Sequence, residues 1–134
     1  MKLDGACHCG AIQFEAATDP DNVVVCHCTD CQTFSSSAFR ISAFTDPNSF
    51  RLTKGIPKIY LKTAESGRKR RQAFCPDCGT SIYSSDDADP PSFLALRVGG
   101  LTQRDALTPK KQIWCRSQSG WLATLNDIDA VETA

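Results

Sequence analysis

Seven of the eight cysteines in this 134-residue chain fall into three tight groups. Cys7 and Cys9 flank His8. Cys26, Cys28 and Cys31 form a C-H-C-x-x-C run, and Cys75 and Cys78 sit in C-P-D-C-G; Cys115 stands alone beside Trp114. Thiolates spaced this closely suit zinc. Four ligands close a tetrahedral structural site, whereas three leave a position open for water or substrate. Seven therefore divides as four plus three, with the last position of the second site left to an outside ligand, to Cys115 or to a histidine.

Cys75-Pro76-Asp77-Cys78-Gly79 reads as a zinc knuckle. Pro76 pre-sets the turn, and Gly79 can adopt the left-handed conformation that aims backbone N–H groups at sulfur. Cys7-His8-Cys9-Gly10, which also places a glycine after its second cysteine, is the better partner for it. A metal held by Cys7, Cys9, Cys75 and Cys78 would stitch the first strand to the middle of the chain. Structural zinc contributes about 10–16 kcal/mol in small modules, against a total domain stability of about 5–15 kcal/mol, so losing it should cost most of the fold.

Cys26, Cys28 and Cys31 remain for the open site, and charge decides what chemistry they favour. Zn²⁺ with three thiolates carries a net charge of −1, which makes it a weaker Lewis acid towards water than a site of three neutral histidines. Such a centre suits a soft incoming thiol held as thiolate. In an extended C-x-C segment His27 points away from the metal its neighbours bind, and His8 does likewise. Neither is a first-choice ligand. His27 reads either as a nearby proton carrier or as a histidine bonded to backbone. Asp30 reads as a base or, more commonly at such a turn, as a cap on backbone N–H groups.

The elements that must position these groups are short strands. Ile12, Phe14 and Ala16 alternate with Gln13 and Glu15; Phe39, Ile41 and Ala43 alternate with Arg40 and Ser42; Phe50 and Leu52, then Ile59 and Leu61, continue the pattern. Val23–Val25 leads into the second cluster and Ala73-Phe74 into the third. Further strands are expected at 81–83, 93–98, 112–115 and 121–125, with Trp114 and Trp121 in the core. Asp46-Pro47-Asn48, Gly55-Ile56-Pro57, Ser66-Gly67 and Asp89-Pro90-Pro91 mark turns. One helical turn near Thr29–Thr33 and a short C-terminal piece complete the reading. The class is all-β, a small and mostly antiparallel fold with little helix.

Length points to a single zinc-binding domain over residues 1–134. Charges balance at 15 against 15, so there is no global field for nucleic acid or an acidic membrane. Met1–Gly5 lacks the apolar stretch of a signal peptide and no segment is long enough to span a bilayer, which suggests a cytoplasmic protein. Thiols stay reduced there, and dense cysteines bind metal rather than form disulfides. Arg68-Lys69-Arg70-Arg71 reads as a solvated hairpin more than as a phosphate or carboxylate patch. Either a monomer or a homodimer is compatible with the chain.

Three motifs in order then carry a resemblance: Gly5-Ala6-Cys7-His8-Cys9-Gly10 through Glu15, Cys26-His27-Cys28-Thr29-Asp30-Cys31-Gln32, and Phe74-Cys75-Pro76-Asp77-Cys78-Gly79-Thr80. Together with Pro109, Ile113, Trp114 and Trp121, they resemble the glutathione-dependent formaldehyde-activating enzyme family, which includes centromere protein V-like members. The chain departs from the usual pattern at Phe34-Ser35-Ser36-Ser37, which lacks a glycine often found there. The resemblance implies a β-tent fold and two zinc ions per chain. A structural zinc would lie on Cys7, Cys9, Cys75 and Cys78, and a second, open to partial occupancy, on Cys26, Cys28 and Cys31 at the active site. It implies carbon–sulfur lyase activity on a small thiol adduct such as that of glutathione and formaldehyde. The competing expectation is a non-catalytic zinc module that binds protein or nucleic acid through its β-surface and Arg68–Arg71.

Overall fold

The computed structural model describes the whole chain, residues 1–134, as an all-β fold with one short α-helix and five 3-10 turns. β1 (Lys2–Ala6) and the 14-residue β2 (Gln13–Cys26) flank the turn that carries Cys7 and Cys9. Then come α1 (Thr29–Ser35), β3 (Arg40–Thr45), β4 (Arg51–Lys54), β5 (Lys58–Thr63) and β6 (Lys69–Phe74). The chain continues through β7 (Ser81–Asp86), β8 (Leu94–Arg97) and β9 (Lys111–Ile113). The strands pair antiparallel in the order β1-β2-β3-β8-β7-β6-β5; β4 adds to β2 antiparallel, and β9 adds to it in parallel.

β2 is one strand where the residue pattern suggests two. Its register shifts between Thr18 and Val23, across a segment containing Pro20. Proline has no N–H to give a ladder, and an irregularity of this kind tolerates that loss. The first half of β2 pairs with β1 and β4, the second with β3 and β9. A single strand thus runs from the first cysteine turn to Cys26.

Register then sorts the side chains of the sheet. Val23, Ala43, Leu96 and Ala73 fall on one ladder and join the core with Leu3, Phe14 and Leu101. Cys7 and Cys75 belong to the same core cluster. Alternate positions make a second ladder on the opposite face: Cys26 opposite Arg40, Ser42 opposite Arg97, Gln72 opposite Ser84. Alternation predicts polar residues facing solvent on β3, yet Arg40 and Ser42 are buried, as are Gln72, Ser84 and Arg97. α1 packs against β3 and helps to cover that face.

The C-terminal expectations need correction. The strand near residue 112 ends at Ile113, because Trp114 takes a left-handed conformation with φ 57°. The expected strand at Trp121–Leu125 is a 3-10 turn, Gly120–Asp127. Both tryptophans are exposed rather than in the core; Trp114 is stacked by the Arg116 guanidinium at 4.7 Å. Ile59 and Leu61 are likewise exposed, since β5 is an edge strand. No helix is long and apolar enough to cross a membrane.

Candidate functional site

Cys7, Cys9, Cys75 and Cys78 converge, with their sulfurs all within 4.8 Å of one another. Two loops of similar build bring them together. In each, the first cysteine's N–H donates to the carbonyl five residues on, Cys7 to Ile12 at 3.0 Å and Cys75 to Thr80 at 2.9 Å. In each, a left-handed glycine closes the turn, Gly10 at φ 76° and Gly79 at φ 74°; glycine takes this conformation without steric cost. The His8 N–H donates to Thr80 Oγ1 at 3.1 Å and so ties one loop to the other.

The sulfur spacing is the test of metal fit. A Zn–S bond of about 2.3 Å in tetrahedral geometry puts sulfurs about 3.8 Å apart. Cys7 and Cys9 Sγ lie 3.5 Å apart, and Cys9 and Cys75 Sγ lie 3.7 Å apart although 66 positions separate them in the chain. The Ile12 amide donates to Cys7 Sγ at 3.2 Å. The Thr80 hydroxyl, with backbone N–H groups, holds the Cys78 thiol down to about 5. At Cys9 the Ala11 amide acts in the same direction, but the Cys7 and Cys78 thiols outweigh it and push the group up to about 12. The cluster thus competes internally for negative charge, which a divalent cation would relieve. The four-sulfur set fits a tetrahedral thiolate metal.

Cys26, Cys28 and Cys31 form a second group within the same distance limit. Cys26 ends β2, Cys28 caps α1 and Cys31 lies in its first turn, where its N–H donates to Cys28 Sγ at 3.3 Å. Cys26 bonding, helped by Cys28 and the Arg97 and Arg40 charges, holds the Cys31 thiol down to about 5 despite burial. Cys26 is correspondingly driven up, first by Cys31, and Cys28 is raised mainly by burial. This set supplies three sulfurs and no fourth cysteine, histidine or carboxylate.

The residues considered for that fourth position lie elsewhere. Cys115 is exposed in a 3-10 turn and belongs to neither group. His27 is buried on the other side of the strand end, its Nε2 2.7 Å from Gln112 Oε1 and its ring edge-on to Phe39. Its ring is therefore that of a packed core histidine, and it does not line the cavity described next. Asp30 is engaged by Lys62 Nζ at 2.6 Å. The basic run divides: Arg71 pairs with Asp87 at 2.9 Å, while Arg70 lies over the Phe93 ring.

Cys26 and Cys31 open onto a cavity of about 190 Å³, walled by Phe34, Phe44 and Phe93 and floored by the second ladder of the sheet. Two arginines on that floor escape sequence reasoning. Arg40 Nη1 and Arg97 Nη2 both donate to Gln72 Oε1, at 3.3 and 3.1 Å, and Arg97 Nη1 donates to Ser42 Oγ at 2.6 Å. Burial, and then the Arg40 charge, bring Arg97 down to about 9; burial also lowers Arg40, and the thiols oppose both shifts. Only strand pairing reveals them, since Arg40 is opposite Cys26 and Arg97 opposite Ser42. Neither is distinguishable by composition from a solvated arginine.

Residues 2–117 match the model of the family described as glutathione-dependent formaldehyde-activating enzyme. Among solved structures, a Rhodobacter sphaeroides protein has a TM-score of 0.61 at 22% identity, with 84% of this chain and 99% of that chain covered. Likeness at that identity shows the shared fold. The family match takes in all seven clustered cysteines and most of the sequence, and the chain belongs to the glutathione-dependent formaldehyde-activating enzyme family.

Proposed function

We propose that the chain is a zinc-dependent carbon–sulfur lyase-type enzyme acting on a thiol adduct of the glutathione–formaldehyde kind. In the condensing direction, the thiol sulfur forms a bond to the carbonyl carbon, and the thiol proton ends on the oxygen of the resulting hydroxymethyl group. Cys7, Cys9, Cys75 and Cys78 would hold a structural zinc, and Cys26, Cys28 and Cys31 a second one. That second ion, when bound, supplies a soft electrophilic centre that keeps a sulfur ligand as thiolate at neutral pH.

One observation carries the reading: three sulfurs gather without a fourth protein donor, and two of them, those of Cys26 and Cys31, belong to the wall of a cavity. The rest of the site acts by shape and charge. Phe34, Phe44 and Phe93 exclude water, which strengthens every polar interaction inside. Arg40 and Arg97 offset the negative charge that three thiolates retain around a divalent ion. Lys62 lies at the same wall, paired with Asp30. Cysteines gathered to hold metal suit a reducing compartment such as the cytoplasm. The binding-module alternative gains little support, because the basic run is split between an ion pair and an aromatic contact.

The test is metal content combined with ligation. Zinc-loaded protein should carry two ions per chain, and Cys28→Ser should lose one while staying folded. X-ray absorption should show an added thiol entering the shell of the second ion. Four protein sulfurs on that ion, with Cys115→Ser reducing the number, would overturn the proposal.

A further inference from the structure

The proposed reaction leaves Arg40 and Arg97 only partly explained. Both are at least nine-tenths buried, and neither takes part in any of the chain's ion pairs with Asp or Glu. Their acceptors, Gln72 Oε1 and Ser42 Oγ, are neutral. Arg97 Nε is buried with no acceptor at all. A guanidinium has five N–H donors in a planar fork, and leaving such a group buried and unmatched is costly.

Charge and size indicate what would match it. Arg40, Arg97 and Arg70 all line the cavity, and none has an ion-pair partner; Lys62 is already neutralised by Asp30. Three positive charges face a three-thiolate centre that retains one negative charge around a divalent ion. Two positive charges are left over. A ligand carrying a thiolate and one carboxylate supplies both negative charges, and a carboxylate is the planar, two-oxygen acceptor that a guanidinium fork fits best. The volume of about 190 Å³ falls below the range of about 300–1,000 Å³ usual for larger ligands, so the buried portion of the ligand is compact.

We propose that Arg40, Arg97 and Gln72 form an anion subsite that selects thiols bearing a carboxylate close to the sulfur. The inference rests on the proposed function for the role of the sulfur, but not for the role of the carboxylate. Cys26, opposite Arg40 in the sheet, and Ser42, opposite Arg97, fix the subsite beside the thiol cluster. Gln72 holds both forks at one oxygen and sets their spacing.

Calorimetry on the zinc-loaded chain separates the two ideas with three probes: 3-mercaptopropionate, 2-mercaptoethanol and propionate. The carboxylate thiol should bind at least about tenfold more tightly than the neutral one, as expected for charge-assisted hydrogen bonds. Arg40→Gln should abolish that preference, weakening 3-mercaptopropionate by at least about tenfold more than 2-mercaptoethanol. Arg97→Lys, which keeps the charge but not the fork, should reduce the preference and serves if the first variant does not fold. Equal affinities for both thiols in the unaltered chain would overturn the subsite, as would an equal loss of both in Arg40→Gln. If 2-mercaptoethanol fails to bind while propionate binds and is lost in Arg40→Gln, the subsite stands and the open-metal reading falls.

Discussion

The two cysteine clusters present the same donor atom in different settings. The four-cysteine cluster joins two turns, and two of its members, Cys7 and Cys75, belong to the hydrophobic core. Its sulfurs are met by each other, by amides and by Thr80. The three-cysteine cluster is assembled locally, within six residues at the end of β2 and the start of α1, and faces a cavity with charged walls. A centre that closes a long loop and saturates its ligands can hold a fold together. One built from adjacent residues and facing a cavity adds little to chain connectivity and is suited to accept a ligand.

The sharpest way to break this contrast is to remove one sulfur from each cluster. Cys75→Ser, at a fully buried position, should unfold the chain, because structural zinc is worth about 10–16 kcal/mol. Circular dichroism and zinc content should fall together. A folded Cys75→Ser chain with one metal would show that the clusters are equivalent in stability.

Gly55→Ala probes the same comparison more gently. Its φ is +72°, and an added Cβ would lie 2.2 Å from the Ala11 carbonyl oxygen, next to the first cysteine loop. Strain and overpacking should cost about 2 kcal/mol or more. In thermal melts the variant should unfold earlier and release the first zinc more readily, with the second ion unaffected. Equal effects on both ions would mean that the clusters are coupled through the sheet.

Graded chelation should have the smallest structural effect. The ion on Cys26, Cys28 and Cys31 should leave first, at low chelator, with the melting temperature shifting by only a few degrees, about 1 kcal/mol or less. Loss of β-structure should begin only as the second equivalent of zinc is removed. Unfolding that tracks the first equivalent would reverse the assignment of roles.

Much of this was legible in the residues themselves. The three cysteine groups, the left-handed Gly79, the outward turn of His27 from its neighbours and the helical turn at Thr29 all follow from local spacing and backbone preference. β2 was harder, because Pro20 resembles a break until the partner strands show that the pairing resumes beyond it. The C-terminal tryptophans misled for a related reason. An apolar run signals burial only when another element covers it, and none covers Trp121.

Local chemistry determined which cysteines gather into groups, since C-x-C and C-x-x-C spacings constrain sulfur positions over a few bonds. Which pair completes which site, and that Cys115 completes neither, depended on contacts across 66 residues and on the course of the chain after β9. The arginine floor was wholly a tertiary outcome. Alternation specifies that Arg40 and Arg97 each lie on one face of a strand, but strand register and the packing of α1 decide that this face is buried beside Cys26 and Cys31. A polar residue on a strand has the same sequence signature whether water or a cavity lies above it, and long-range packing makes that choice.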